Sequence, residues 1–261
     1  MRKKTTWPAG LAIGLAIVSL LACASEKPSI KTAQGLPAAD LAYYCDTFDK
    51  FREDIWEKSG FVFSRIQLQN IKMASIRMED GRLLIQTKTG GFSKGSFATK
   101  YSFKGDFDCQ IDCHIDLIEG QLNMDQLLSI VVMEKSQDMQ KANAFVLGVV
   151  RGGEGQQNLI YSGYHWNGKY HPGASHKIGN FTGTLRIVRN KNKINTFYKT
   201  QSIAQWEKLS SFPSNQNAAV FGFGLQNFTK SRNSITADTA VIGWFDNFKI
   251  NFAREIIETE I

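Results

Sequence analysis

The sequence predicts an all-β protein built as a two-sheet antiparallel β-sandwich. After residue 40, most of the chain alternates apolar and polar residues with a period of two, which is the pattern of half-buried strands. Asp-Gly at 80–81 and Asn-Gly at 167–168 separate such stretches and predict two-residue hairpin turns. Helical periodicity is nearly absent. Without a helical layer, two sheets have to bury each other's apolar faces.

The first 22 residues predict an export signal that ends at a lipid-modified cysteine. Met1–Lys4 is basic without an acid, and the apolar stretch Ala9–Ala22 follows it. This stretch is shorter than the roughly 20 residues that a membrane-spanning helix needs. Leu20–Cys23 resembles the lipobox of bacterial lipoproteins, which implies lipidation of Cys23. Acyl chains anchor a protein because each buried CH₂ contributes about 0.8 kcal/mol.

Residues 23–40 are mostly small and polar, which predicts a flexible tether between Cys23 and one domain at 41–261. A domain of that length is within the range of a single large β domain and can bury a sizeable core. The alanine after Cys23 resembles bacterial sorting signals that favour the outer membrane, if the organism has one. The expected location is therefore the cell envelope, on a lipid anchor.

The charge pattern argues against nucleic acid as a partner. The formal net charge of +7 includes the basic residues of the signal. In the rest of the chain, Lys and Arg are interleaved with Asp and Glu, so no basic stripe is present to follow a phosphate backbone.

Three cysteines lie in the expected domain: Cys45, Cys109 and Cys113. An exported location permits disulfides. Cys109 and Cys113 are four residues apart on one expected strand, about 13 Å, which is too far for them to pair with each other. Pairing of Cys45 with either one stays open.

The clearest strand is Phe107–Leu117, in which every second residue is apolar. Asp108, Asp112, His114 and Asp116 alternate with the apolar set and share the opposite face. A solvated outer face is the default interpretation. The alternative is an acid pair, Asp112 and Asp116, that serves a divergent glycoside hydrolase or lyase.

The same alternation and turn signals predict the other elements. Further strands are expected at Ala74–Met78, Arg82–Thr87, Leu127–Met133, Ala144–Arg151, Asn158–Trp166, Lys169–His171, Thr184–Arg189, Lys193–Lys199, Ala218–Gln226 and Val241–Phe252. Short helical turns are expected within Thr47–Lys58 and Gln137–Lys141.

Four groups of short motifs follow one another along the chain. They are Asp46–Asp49 with Trp56; Phe92–Lys94 with Lys104–Phe107; Gly183–Asn190 with Ile194–Tyr198 and Trp206–Leu209; and Val220–Leu225 with Phe245–Phe248. In this order they resemble the concanavalin A-like lectin/glucanase superfamily, which includes laminarinase-type glucanases and laminin-G-like domains. The resemblance spans Asp46 to Phe252 and implies a jelly-roll sandwich of a kind often used to hold carbohydrate.

The resemblance also implies where catalytic acids belong. Glucanases of this superfamily carry Glu-x-Asp-x-x-Glu two strands after the Gly-Asp-Phe-like strand, and their chemistry needs two carboxyl groups about 5 Å apart. The corresponding stretch here, Ala144–Arg151, has no carboxylate. We therefore expect the laminarinase-type mechanism to be missing.

A structural calcium ion is the cofactor that the resemblance implies. In this fold it is held near the start of the last strand, which corresponds to Asp246, with Asp46 or Asp49 as a further ligand. Calcium takes several carboxylate and backbone oxygens. The alternative is that Asp246 only caps a turn.

The segment around Asn167-Gly168 is rich in aromatic side chains. A two-residue turn there places His165 opposite Tyr170 and Trp166 opposite Lys169. Either face of this hairpin suits a sugar ring, or one face is core. The candidate ligand-binding residues are Tyr161, Tyr164, His165, Trp166, Tyr170 and His171.

Three functions fit these observations. The favoured one is a membrane-anchored module that binds a glycan or another extracellular polymer. The second is the hydrolase or lyase described above, and the third is a structural lipoprotein that binds an envelope protein. A fold alone does not decide among them.

Overall fold

The protein is a two-layer β-sandwich in a computed structural model that describes residues 35–58, 71–90, 92–119, 124–136, 142–152, 157–167, 169–229 and 239–258. This part of the chain forms one short helix and fifteen strands. The elements are α1 (Ala38–Tyr43), β1 (Trp56–Lys58), β2 (Lys72–Met73), β3 (Ser75–Glu79), β4 (Arg82–Gln86), β5 (Ser93–Thr99), β6 (Tyr101–Ile115), β7 (Met124–Glu134), β8 (Asn143–Gly152), β9 (Gln157–Trp166), β10 (Lys169–Lys177), β11 (Phe181–Asn190), β12 (Lys193–Thr200), β13 (Ile203–Pro213), β14 (Ala219–Thr229) and β15 (Ile242–Glu258).

The strands fold into two layers. The front sheet runs β10-β9-β8-β7-β14-β5, with β1 and β2 beside β5. The back sheet runs β13-β12-β11-β6-β15-β4-β3. Pairing is antiparallel throughout except between β2 and β5. One pair, Ala219 with Phe103, joins the layers into a single hydrogen-bonded system.

The core lies between the two layers. Phe223 of β14 contacts Phe245 of β15 with ring centroids 4.6 Å apart, and Phe145 of β8 packs against Phe212 of β13. Burial of such rings is a main source of stability, at roughly 25 cal/mol per Å² of apolar surface. The strand alternation predicted from the sequence thus serves to fill this interior.

Strand β6 follows the predicted alternation. Phe107, Cys109, Ile111, Cys113 and Ile115 are fully buried on its core side. The three cysteines of the domain are free thiols, so none of the disulfides left open by the sequence forms. Burial raises the pKa of the Cys109 thiol well above its usual value, which keeps it protonated.

Both predicted hairpins form. Asp80 and Gly81 have φ of 52° and 69°, and Asn167 has φ of 50°, as two-residue turns of the primed types require. Trp166 pairs with Lys169, which is the register that the sequence predicts.

The N-terminal part of the described chain differs from the prediction. The amide of Leu36 donates to the carbonyl of Ala253, and Leu41 of α1 is buried in the core. Residues 36–40, which the sequence assigns to the tether, therefore pack against the domain.

The helical turn predicted within Thr47–Lys58 is limited to Arg52–Trp56, where the amides of Ile55 and Trp56 donate to the Arg52 carbonyl at 3.2 and 3.0 Å. The segment ends in β1 and contains bends and an isolated turn, with Phe48 in the left-handed region at φ 54°. The aromatic side chains there are spaced to fill the core rather than to form a helix face. The turn predicted at 137–141 and the whole export signal, with Cys23, lie outside the described residues. Among the described residues, no helix has the length and apolarity to cross a bilayer.

Candidate functional site: a cleft across the front sheet

One face of the front sheet covers the core, and the other carries a row of small residues. Strand register aligns Ser96 of β5, Gly224 of β14, Ser129 of β7, Gly148 of β8 and Tyr161 of β9 directly across the sheet. Neighbouring strands are about 4.8 Å apart, so this small-residue row is about 19 Å long. It runs perpendicular to the strands.

The two glycines are required by the close packing of the row. A Cβ at Gly148 would be 2.6 Å from the carbonyl oxygen of Leu128 and 2.9 Å from the Ser129 Cβ. A Cβ at Gly224 would be 2.6 Å from the Ser96 Cβ. Glycine within a strand permits such close approach, by a neighbour or by a ligand.

A small cleft opens over the β5 end of this row. Serine hydroxyls, an amide and an ammonium reach it from three neighbouring strands. Its lining comprises Lys94, Gly95, Ser96, Ser129, Val131, Phe223, Gly224, Leu225 and Gln226.

Lys94 is the charged residue of the cleft lining. It lies on β5 opposite Gln226, two residues from Ser96 and on the same face. Its side chain is buried, with 3% exposed, and its Nζ has no hydrogen-bond partner among the described residues. Burial alone lowers the pKa of the ammonium to about 7, because no carboxylate compensates the loss of water.

The far end of the row is aromatic and comes from the predicted hairpin. Tyr161, His165 and Tyr170 lie on the cleft face, and His165 contacts Tyr170 with centroids 5.1 Å apart. A Cβ at Gly163 would be 2.4 Å from the Tyr170 hydroxyl, so this tyrosine ring fills the space that the glycine leaves. Burial lowers the pKa of His165, and the neighbouring His171 adds to this.

The other three predicted ligand residues lie on the opposite face of the hairpin. Tyr164 stacks against Phe212 of β13 at 4.8 Å and against Phe145 at 6.1 Å. His171 stacks on Tyr164 at 4.8 Å, and Trp166 contacts the same ring edge-on. These three pack at the margin of the core, so the structure separates the predicted set into two groups.

Acidic residues are sparse on the cleft face. The cleft-facing positions of β8 are Ala144, Val146, Gly148, Val150 and Gly152, as judged from their partners on β7 and β9. Among the described strand residues of this face, the carboxylates are Glu57 at the edge strand β1 and Asp125 beside Gly152.

These two carboxylates are widely separated. Glu57 aligns through Ala98 and Gly222 with Val131, which is six residues along β7 from Asp125. Six residues of strand span about 20 Å. Glycoside hydrolysis by a carboxylate pair needs a separation of about 5 to 9.5 Å.

The alternative acid pair is on the back sheet, remote from the cleft. Asp112 accepts a hydrogen bond from Thr184 Oγ1 at 2.5 Å and one from Asn247 Nδ2 at 3.2 Å. Asp116 is exposed and lies 3.2 Å from His114, whose ring stacks on Trp244. Asp112 is thus held by strand neighbours on an outer face.

The structure does not fit Asp46 as a calcium ligand. Its carboxylate accepts hydrogen bonds from the Phe48 amide at 2.8 Å and from the Trp56 indole at 2.7 Å. It therefore connects these two residues inside the fold. Asp246 lies 3.9 Å from Arg82 and caps the Asn247 amide. Among the described residues, no three acidic, His or Cys side chains converge as a metal cage.

The polar floor of the cleft was not found from the sequence. Lys94 stood in a motif assigned to the fold, and its neighbours Ser129 and Gln226 lie on separate strands whose register only the structure supplies. One signal was present: Gly222 and Gly224 alternate with Phe223 and Leu225, which marks a strand face kept free of side chains.

A two-layer antiparallel sandwich with an open cleft across one sheet is the concanavalin A-like jelly roll, as the resemblance predicted. Solved structures share it. The glycoside hydrolase family 16 endo-glucanase from Bacteroides ovatus is 15% identical, with 80% of this chain and 99% of that chain covered, at a TM-score of 0.57. The laminarinase catalytic domain from Thermotoga petrophila is 8% identical, with 89% and 100% covered, at a TM-score of 0.57.

A third similar structure is a module of a phage protein. The CBM2 module of the evolved Dit of Lactobacillus casei BL23 phage J-1 is 7% identical, with 84% of this chain and 96% of that chain covered, at a TM-score of 0.56. At these identities the likenesses establish a shared fold. No family model matches the sequence, and no curated protein does.

Proposed function

We propose that the protein binds a glycan in the cleft of the front sheet and does not hydrolyse it. The observation that carries this proposal is the small-residue row across five strands, with a cleft that holds hydroxyl, amide and ammonium donors at one end and Tyr161 at the other. Ligand sites combine apolar walls with a few placed polar groups. Tyr161 and Tyr170 supply flat rings for the faces of sugars.

The proposed lack of hydrolysis is supported by the positions of the acids among the described residues. A retaining or inverting glycosidase needs two carboxyl groups on either side of the scissile bond. Positions on β8 that face the cleft carry Ala144, Val146 and Gly148, and the carboxylates of Glu57 and Asp125 are too far apart to act together. Asp112 and Asp116 face away from the cleft.

The test is a glycan array probed with the soluble domain, followed by calorimetry on any bound oligosaccharide. We expect binding that a Ser96→Leu substitution, at a partly exposed position of the cleft, weakens by filling it, and no release of reducing sugar from β-glucans. A Ser202→Leu variant is the matched control, because Ser202 is exposed in the turn between β12 and β13 of the back sheet. Hydrolysis lost on substitution of Asp112 would instead favour the enzyme, and capture of an envelope protein without glycan would favour the structural lipoprotein.

We also propose that the domain is held at the cell envelope by a lipid on Cys23. The support is the basic, apolar and small-residue order of residues 1–22 followed by cysteine. Cys23→Ser is expected to move the protein from the membrane fraction to the soluble fraction and to prevent incorporation of labelled fatty acid. Incorporation that persists in this variant would contradict the anchor.

A further inference from the structure

The position of Lys94 indicates which kind of glycan the cleft accepts. Several arginines of the described chain have anionic partners: Arg186 pairs with Asp108, Arg189 with Glu134, and Arg254 with Asp106. Even the fully buried Arg189 is paired, and its guanidinium also donates to three backbone carbonyls. The Lys94 ammonium is buried as deeply but has no such group.

An isolated buried ammonium is costly, because the interior does not replace its hydration. The groups that share the cleft with Lys94 are the Ser96 and Ser129 hydroxyls and the Gln226 amide, and none of them is ionised. Lys72 of the adjoining strand β2 is directed to the Thr89 carbonyl. The described lining therefore has one positive group and no negative one.

We propose that the cleft selects an acidic glycan, whose carboxylate or sulfate group bonds to the Lys94 ammonium while the Ser96, Ser129 and Gln226 side chains bond to its hydroxyls. This inference rests on the proposed glycan-binding function. An anion supplies the missing partner, and a charge-assisted hydrogen bond in a site shielded from water is stronger than a neutral one. Uronic acids and sulfated sugars both present this chemistry.

Binding is then linked to pH. The free Lys94 ammonium loses its proton near pH 7, and an anion beside it favours the charged form, so the complex forms with proton uptake. The titratable groups nearest to the cleft at its other end are Tyr161, Tyr170 and His165, and burial raises the pKa of both tyrosines and lowers that of the histidine. Above pH 7, affinity falls by up to about tenfold per pH unit.

The experiment is calorimetry of the soluble domain with three matched sets of oligosaccharides: neutral glucans, uronate oligomers and sulfated glucans. Wild type is compared with Lys94→Met and with Lys169→Met, an exposed lysine of the hairpin. We expect one acidic set to bind at least tenfold more tightly than the neutral set. Lys94→Met should remove this preference, and Lys169→Met should keep it.

A second readout is independent of the folding of the variant. Wild type titrated at one pH in buffers of different ionisation enthalpy should show uptake of part of a proton. An acidic set that binds no more tightly than the neutral glucans, or that keeps its preference in Lys94→Met, would overturn the inference and leave the glycan-binding function intact. Failure of all three sets to bind would overturn both. The acidic set that binds, uronate or sulfated, shows whether the anion at Lys94 is a carboxylate or a sulfate group.

Discussion

On the back sheet, each described charged side chain of β6 has a hydrogen-bonding or oppositely charged neighbour, whereas on the front sheet the Lys94 ammonium has neither. Asp108 pairs with Arg186 and accepts from Asn251, and Lys104 lies 3.9 Å from Glu255. Trp244 is sandwiched between the Arg82 guanidinium and the His114 ring. The comparison separates a surface whose charged side chains have polar neighbours from one on which the Lys94 ammonium is left for a ligand. Six substitutions test it.

The largest expected effect is a gain of stability in Lys94→Met. The folded pKa of about 7 is below the unfolded value near 10.5, so below pH 7 the folded state carries the whole cost of the buried charge. Between pH 7 and 10.5 the unfolded chain binds more protons, so the free energy of unfolding of the wild type rises with pH. We expect the variant to be more stable by on the order of 3 kcal/mol at pH 6 and by much less at pH 9.

The measurement is denaturant unfolding of both proteins at pH 6 and pH 9. Residues such as Cys109 and Tyr101, whose raised pKa values destabilise the fold at high pH, are common to both proteins and cancel in the difference. Equal unfolding free energies of wild type and Lys94→Met at both pH values would show that the Lys94 charge has a compensating partner in solution.

Asp108→Ala is expected to lower the stability of the domain, in contrast to Lys94→Met. It removes the Arg186 ion pair and leaves the half-buried guanidinium without its carboxylate, so the domain should lose about 1 to 2 kcal/mol. Asp116→Ala, at a side chain that is 69% exposed, should change stability by less than about 0.5 kcal/mol. Both should bind glycan as wild type does; weakened binding in either would place the ligand on the back sheet.

Trp166→Ala tests which face of the hairpin contacts the ligand. Since Trp166 packs on Tyr164 at the margin of the core, its loss should cost about 1 kcal/mol of stability and leave glycan affinity within twofold. Tyr161→Ala, on the cleft face, should weaken binding at least fivefold. The reverse order of affinities would assign the ligand to the face of Trp166.

The smallest expected effect concerns calcium at Asp246. With Asp46 engaged elsewhere, an ion there would rely on Asp246, its neighbour Asp49 and backbone oxygens, which makes a weak site. Chelator should therefore lower the melting temperature by only about 2 °C, and Asp246→Ala should remove that sensitivity. A melting curve that chelator leaves unchanged would end the calcium proposal.

The sequence predicted local features well because local chemistry determines them. Alternation in Phe107–Leu117 gave the buried side of β6, and Asn167-Gly168 gave both the turn and the pairing of His165 with Tyr170. Which hairpin face meets the core depended on Phe212, a residue of β13 far along the chain. Lys94 was missed for the same reason, since the lack of a partner is a property of the surrounding strands.

The arrangement of β6 has a consequence for the order of events during synthesis. This strand is the centre of the back sheet, with β11 on one side and β15 on the other, and β15 ends at Glu258. Until the last strand has left the ribosome, one whole edge of β6 lacks its hydrogen-bond partner. Pairing over such long sequence separations is slow. The back sheet can therefore be completed only after β15 has been synthesised.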